Sequence, residues 1–343
     1  MCAAFGLGDP AGAMTPVAGG LTHRLWRLET SRGTFAVKVL DRTWGPPDLE
    51  AWYERAFTLE RAAFAAGIAM PRPVPAAATG GCLAQVNRAD GQKATVRAHA
   101  WVEGESLRND AVYPADDVAR VGGIVARIHA LGMAAGVTAR EALRIEGEAY
   151  WRTLALRAEA QRAPWTDDLR AYLPVIAEAE AYIAAAHADR LPLLLGHRDA
   201  DKKNFVRAPD GALLLVDWDA AGPVHPRHDL ANTALTWAGA HLGEPDPALL
   251  RAFFDGYRAA GGAPHVFAAS DLAEMLATNL RWVDFIARRA LAVPDARGRA
   301  PAHAAVAGAL RRGKLRRFLA SAGRWARLVE EAREAAYSSS STM

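Results

Sequence analysis

Between Leu193 and Leu230 the chain reads LLLGHRDADKKNFVRAPDGALLLVDWDAAGPVHPRHDL, and its oxygen-bearing side chains are spaced for phosphoryl transfer. Asp199 stands two positions after His197, Asn204 five after Asp199, and an apolar run ends in Asp217. A transferring phosphoryl group needs little covalent help, so catalysis is positioning plus charge neutralisation. A carboxylate within reach of an acceptor hydroxyl can orient it and take its proton, the role expected of Asp199. An amide oxygen and a second carboxylate are hard ligands suited to Mg²⁺, the role expected of Asn204 and Asp217. Asp219 is a further candidate ligand. Each has an ordinary alternative, a turn-capping aspartate at 199 and a strand-end turn at 217. The three together, in this order, favour the chemistry.

The neighbours of this trio are read more plainly. His197 is expected to hold the loop through hydrogen bonds rather than to titrate. Asp229, at the start of Asp-Leu-Ala, is expected to cap a helix or to brace the loop. Lys202 and Lys203 are either solvated or in contact with the transferred phosphate. Earlier in the chain, Lys38 lies on a predicted strand, and Glu60 falls inside the apolar stripe of a predicted helix. A carboxylate in an apolar stripe needs a partner, because burying it alone is costly. A Lys38–Glu60 ion pair accounts for both residues. Gly19 and Gly20 form a flexible loop, after which Thr22 offers a hydroxyl and an N–H to a phosphate. Neither G-x-G-x-x-G nor G-x-x-x-x-G-K-[ST] occurs, which argues against a Walker-type NTPase.

The elements that must position these groups follow from pattern. LWRLET and TFAVKVL, separated by Ser-Arg-Gly, predict a hairpin over 25–40 in which Ala36 and Lys38 share one face. A helix is predicted over 48–66, ended by Gly67 as its C′ glycine. Strands are predicted over 83–87 and 94–102. After Glu103-Gly104 the pattern turns helical, over 115–131, 141–161, 167–188, 246–260, 270–292 and 302–334. A short hairpin around Pro209-Asp210-Gly211 interrupts it. The fold class expected is α+β, with a nucleotide-binding lobe over 1–102, a helical catalytic and substrate-binding lobe over 103–337, and a disordered tail over 338–343.

Composition bounds the function. The 343 residues are 51% hydrophobic and 23% charged, with a net charge of +3, ordinary values for a soluble globular protein. No long basic run calls for nucleic acid. The two cysteines, Cys2 and Cys82, have no metal-like spacing and fit a reducing cytoplasm. The first residues lack the basic and apolar regions of a signal peptide. No uncharged apolar run reaches the ~20 residues that cross a bilayer. A soluble cytoplasmic protein, with neither nucleic acid nor membrane as partner, is expected.

Taken in order, these residues resemble the aminoglycoside phosphotransferase family, small-molecule kinases with a protein-kinase-like fold of two lobes. The most specific part is HRDADKKN, VDWD and DLA, at 197–204, 216–219 and 229–231. AVK at 36–38, GIAMPRPV at 67–74 and WVEG at 101–104 add to it. The resemblance implies ATP or GTP with Mg²⁺ as cofactors, Asp199 as catalytic Asp, and Asn204 and Asp217 as magnesium ligands. It implies Lys38 and Glu60 as the pair that positions the phosphates, Ala36 as a roof over the adenine, and backbone pairing to the adenine at Ala100 and Val102. The family loop usually reads His-Gly-Asp, whereas Arg198 stands here at the middle position. Neither Asp-Phe-Gly nor Ala-Pro-Glu occurs, so no protein-kinase activation segment is recognised.

The leading expectation is an ATP- and Mg-dependent phosphotransferase acting on a hydroxyl of a small cationic molecule, an aminoglycoside or another hydroxylated antibiotic. Glu274, Asp271 and Asp284 are the acids that would meet the cation, on one predicted helix with Asn279, Arg281 and Trp282. A kinase of choline, homoserine or a sugar, or of a cyclic-peptide antibiotic, keeps the fold and changes the acceptor. A non-catalytic nucleotide-binding module would have no need of Asp199. A metal-dependent hydrolase would leave Lys38 and Glu60 unexplained.

Overall fold

The computed structural model describes residues 1–18, 23–41, 48–88, 90–137, 143, 145–186, 192–293 and 296–338. Strands come first. α1 (Cys2–Phe5) and β1 (Thr15–Val17) lead into the expected hairpin, β2 (Arg24–Thr30) and β3 (Gly33–Val39). α2 (Leu49–Ala65) is followed by β4 (Pro73–Val74), β5 (Ala84–Asn87) and β6 (Lys93–Ala100). These strands form one antiparallel sheet in the order β1-β2-β3-β6-β4, with β5 also paired to β6.

The period of two in β3 and β6 decides what the sheet presents to each side. Phe35 and Val37, with Val96 and Ala98, build a core that includes Phe5 and Leu28. On the other face Ala36 stands opposite His99, and Lys38 opposite Arg97. α2 runs with Ala56, Leu59, Glu60 and Ala63 buried, and its terminus is set by Gly67 in the left-handed region at φ 72°. Ile68 N–H returns to Ala63 C=O at 3.0 Å, as expected when a C′ glycine ends a helix.

Helices follow. β7 (Glu105–Ser106) precedes α3 (Ala115–Ala130), α4 (Glu148–Ala160) and α5 (Thr166–Ala186). Four short strands carry the chemistry-bearing segment: β8 (Leu194–Gly196), β9 (Phe205–Arg207), β10 (Leu213–Leu215) and β11 (Gly222–Val224). The chain ends in α6 (Pro226–Trp237), α7 (Pro247–Ala259), α8 (Ala273–Ala292), α9 (Ala296–Arg311) and α10 (Lys314–Ser338). One large core runs through these helices and takes in Ala56, Leu59 and Ala63 of α2. Among the described residues no helix is long and apolar enough to cross a membrane.

Several expectations are corrected. The single helix expected over 302–334 is two, because Gly313 takes a left-handed conformation at φ 58° between α9 and α10. α6 begins before Asp229: Pro226 opens it and His225 is its N-cap, accepting from Arg227 N–H at 3.2 Å. The strands β1, β7, β8 and β11 were not anticipated, since two or three residues are too short to show alternation. Ser338 closes α10, and 339–343 lie outside the described residues.

α3 and α7 pack backbone to backbone. A Cβ on Gly256 would sit 1.8 Å from the carbonyl oxygen of Ala119, and one on Gly122 2.0 Å from that of Phe253. No side-chain rotation relieves a clash with backbone. Gly256→Ala is expected to cost about 1–3 kcal/mol through overpacking, read as a lower urea midpoint. An unchanged midpoint would mean that the helices are not held at this spacing.

Candidate active site

The loop 197–204 is held at both ends. β8 delivers it and pairs antiparallel with β11, Gly196 opposite Gly222. His197 is 1% exposed, with its ring edge-on to Trp218 at 4.7 Å between centroids. Its Nε2–H donates to Val216 C=O at 3.2 Å, and Nδ1 accepts from Asp199 N–H at 3.3 Å. Burial pushes its pKa down to about 4. A neutral imidazole with both nitrogens engaged is a brace, as expected, and not a base.

Asp199 is oriented by two neighbours on the same turn. Lys203 Nζ lies 2.8 Å from each carboxylate oxygen. The Asn204 side-chain amide donates to Asp199 C=O at 2.7 Å and to its Oδ2 at 2.8 Å. Burial raises the Asp199 pKa, Asp201 adds to it, and Lys203 works against both, leaving it at about 6. A carboxylate with that pKa is ionised at neutral pH yet able to take a proton.

The two loop lysines differ: Lys202 is removed from solvent, whereas Lys203 is 43% exposed and ion-paired. Lys202 is fully buried, its ammonium 2.8 Å from Ala111 C=O and 5.8 Å and 6.0 Å from the ring centroids of Tyr113 and Trp237. Lys203 also reaches Asp201 at 3.6 Å. Arg198, between His197 and Asp199, has φ 65°. That left-handed conformation favours glycine and costs other residues roughly 1–2 kcal/mol.

Asn204 and Asp217 are set beside each other by a backbone bond, Val216 N–H to Asn204 C=O at 2.8 Å. Asp217 is left-handed at φ 62° and turns the chain into Trp218–Ala220. Since Asn204 spends its NH₂ on Asp199, its carbonyl oxygen remains for a ligand. Asp217 is 44% exposed and gives one oxygen to Lys38. An amide oxygen and a carboxylate oxygen at one cleft fit a hard divalent cation such as Mg²⁺.

The cations of the sheet meet this turn. Lys38 Nζ lies 2.7 Å from Asp217 Oδ1 and 2.6 Å from Asp219 Oδ2. Arg97 Nη1 donates to Asp219 Oδ1 at 2.7 Å, and its Nη2 to Glu60 Oε2 at 2.5 Å. His99 completes Glu60 at 2.7 Å. The expected Lys38–Glu60 pair is therefore not formed. The partner of Glu60 is Arg97, directly opposite Lys38 in the strand register. Burial would raise the Glu60 pKa, but Arg97 and then His99 outweigh it and hold it at about 2. Burial likewise opposes charge on Lys38, yet Asp217 and Asp219 hold its pKa above the usual value. Asp219, raised by burial, is carried well below the carboxylate range by Lys38 and Arg97.

Arg97 escaped the sequence reading, though a signal existed: an arginine between Val96 and Ala98 in an apolar strand needs a partner as much as Glu60 does. Trp52 was also missed. Its Nε1–H donates to Asp219 C=O at 2.9 Å and ties α2 to the turn. At the linker, Ala100 N–H is committed to Arg72 C=O and Trp101 N–H to Thr34 C=O, both at 2.9 Å. Val102 N–H has no backbone partner among the described residues. Ala36 sits on the cleft face with Lys38. Gly19, Gly20 and Thr22 lie outside the described residues. Asp229 does not cap α6. Its Oδ2 lies 3.0 Å from His129 Nε2 and joins α6 to α3.

A second cluster, His225, His228 and Asp271, brings donor atoms within 4.8 Å of one another. It is not a metal site on its chemistry. His225 Nδ1 already accepts the Arg227 N–H, and the Arg227 guanidinium stands 3.1 Å from Asp271 Oδ1, where a cation would go.

The Asp199 carboxylate, the Asn204 and Asp217 oxygens and the half-buried Lys38 ammonium are thus carried by the 197–204 loop, the 217–219 turn and β3. Over residues 13–263 the sequence matches the model of the phosphotransferase enzyme family. The chain belongs to that family. No curated protein matches it in sequence. Solved phosphotransferases share its fold. The aminoglycoside phosphotransferase of Alicyclobacillus acidocaldarius is 18% identical, with a TM-score of 0.53, covering 95% of this chain and 96% of that one. An amicoumacin kinase in complex with AMP-PNP and Ca²⁺ is 12% identical, with a TM-score of 0.60 and 90% of each chain covered. The choline kinase of Streptococcus pneumoniae is 13% identical, with a TM-score of 0.54, covering 89% of this chain and 94% of that one. The phosphotransferase thus has the α+β, protein-kinase-like fold expected.

Titration tests the Asp199 environment without an acceptor. In protein carrying ¹³C-labelled aspartate carboxyls, one resonance is expected to titrate near pH 6 and to vanish in Asp199→Asn. Lys203→Met removes the cation that favours the charged form, so the midpoint should rise by about 1 unit or more. A midpoint that does not move would break the assignment of Lys203 as the charge that tunes Asp199.

Proposed function

We propose that the protein transfers the γ-phosphoryl group of Mg·ATP to a hydroxyl of a small molecule, a hydroxylated antibiotic or a metabolite of similar size. The observation that carries this is the Asp199 carboxylate fixed by Lys203 and Asn204 beside the Asn204–Asp217 oxygens and Lys38. In this reading residues 1–102 hold the nucleotide and residues 103–337 hold the acceptor. Ala36 covers the adenine, and Ala100 and Val102 offer it backbone groups. Both cysteines are free, in keeping with a reducing cytoplasm.

The acceptor oxygen attacks the γ-phosphorus as the bond to the ADP oxygen breaks, and the hydroxyl proton passes to Asp199. Mg²⁺, held by Asn204 and Asp217, would supply neutralisation of phosphate charge. Lys38 is half-buried and kept protonated by Asp217 and Asp219, so it can move from the two aspartates to the phosphates without loss of charge. Glu60 acts at one remove, by holding Arg97 against Asp219.

The acceptor reading departs from the cationic molecule expected first. Glu274 Oε1 takes Arg281 Nη2 at 2.6 Å, Asp284 takes Arg288 at 2.8 Å together with the Tyr150 hydroxyl, and Asp271 takes Arg227 at 3.1 Å. Acids already matched by arginines have little charge left for a polycation, which favours an acceptor that is not one.

The test is ADP release from Mg·ATP across hydroxylated antibiotics, polyols, hydroxy acids and amino alcohols. One class should stimulate it. Asp199→Asn should lower that rate by roughly 10²–10⁴-fold with Mg·ATP binding kept, and Asp217→Asn should weaken magnesium-dependent nucleotide binding. Wild-type turnover in Asp199→Asn would remove the base from this account.

A further inference from the structure

The residue in the left-handed turn beside the base has a side chain the transfer reaction does not use. A strained conformation next to reacting groups points to a use for the side chain that bears it. The Arg198 side chain is 9% exposed. Its guanidinium carbon lies 5.9 Å from the Trp52 ring centroid. A Cβ on Gly222 would come within 3.3 Å of its Nη1, so the glycine there leaves room for it. The carboxylate it meets is Glu274, at 3.6 Å from Nη2 to Oε1.

That same Oε1 is already taken. Arg281 Nη2 donates to it at 2.6 Å and Thr278 Oγ1 at 3.3 Å. Two guanidinium groups thus share one carboxylate, a local surplus of one positive charge. The next acid that acts on Arg198, Asp229, is committed to His129 at 3.0 Å. Arg198 Nε and Arg281 Nη1 are buried and have no acceptor among the described residues. Arg281 is 38% exposed, so the pair is reached from solvent on its side. Buried donors on a surplus charge are satisfied by an anion, which guanidinium groups bind with paired hydrogen bonds.

We propose that Arg198 and Arg281, with Trp52 as a flat wall, bind an anionic group of the acceptor, a carboxylate or a phosphate. This rests on the kinase reading above. Arg198 and Asp199 are consecutive, with Cα atoms about 3.8 Å apart. In this proposal the hydroxyl addressed by Asp199 and the anionic group held by Arg198 belong to one small molecule. Arg198 and Arg281 select the acceptor, and Asp199 acts on it.

Calorimetry with inorganic phosphate, on full-length protein saturated with Mg·AMP-PNP, reads the arginine pair while the nucleotide fills its own phosphate sites. Saturable binding is expected in the wild type. Arg198→Gly, which suits the backbone, and Arg281→Gln should each weaken it at least tenfold and leave AMP-PNP affinity within twofold. Absence of phosphate binding in the wild type, or equal binding in all three proteins, overturns the site. Failure to bind AMP-PNP would count against the kinase reading instead, and phosphate titration without nucleotide would still judge the arginines. In ADP release, stimulation by a hydroxy acid with KM raised at least tenfold and kcat kept in Arg281→Gln supports the assignment. Stimulation by an amino alcohol or neutral polyol with KM unchanged in that variant overturns it.

Discussion

Two cations face each other across a strand pair, and much of the site is arranged to tolerate them. Lys38 on β3 and Arg97 on β6 are in direct register. Like charges directly opposite destabilise a sheet, and here Arg97 is buried and Lys38 half-buried. Asp219 stands between them with one oxygen for each, and Glu60 takes the far side of Arg97. The result is an alternating chain of charges from Glu60 through Arg97, Asp219 and Lys38 to Asp217. It begins on α2, crosses the sheet and ends on the turn that would hold the metal. Removing one member of its buried pair, Glu60 or Arg97, strands the other at a cost of about 3–5 kcal/mol. The array fixes α2, the sheet and the 217–219 turn as one unit.

The catalytic loop repeats the logic on a smaller scale. Burial and Asp201 raise the Asp199 pKa. Lys203 grips both its oxygens and Asn204 one of them, so the carboxylate is oriented and its pKa is kept near 6. His197 contributes by being neutral: its proton goes to Val216 C=O, and its lone pair receives Asp199 N–H. Farther out, His129 holds Asp229 and so joins α3 to α6 behind the loop. The close α3–α7 contact at Gly122 and Gly256 fixes the helix that carries His129.

What the sequence made legible was order and type. The spacing of Asp199, Asn204 and Asp217, the hairpin that carries Lys38 and the Gly67 stop were all readable, because each depends on local chemistry. Partner choice was not. Glu60 had to have a cation, but whether Lys38 or Arg97 supplied it depended on the β3–β6 register, a long-range fact. The break at Gly313 was a local signal passed over inside a helical pattern. The start of α6 was masked because histidine is an uncommon cap and Asp229 is the usual kind. The use of Arg198 was out of reach, since the meaning of its position depends on a backbone angle and on Glu274 and Arg281, some 80 residues away.

The central claim is that Arg97 couples Glu60 to the turn that carries Asp217 and Asp219, the turn proposed to hold the metal. The most direct test is Mg·AMP-PNP affinity, by calorimetry, in Arg97→Met against wild type, with thermal unfolding recorded on both. The account predicts a folded protein of lower midpoint whose Mg·AMP-PNP affinity falls at least tenfold, because Asp219 loses one of its two cations and Lys38 is drawn more tightly to it. An Arg97→Met protein with wild-type affinity and midpoint would contradict it.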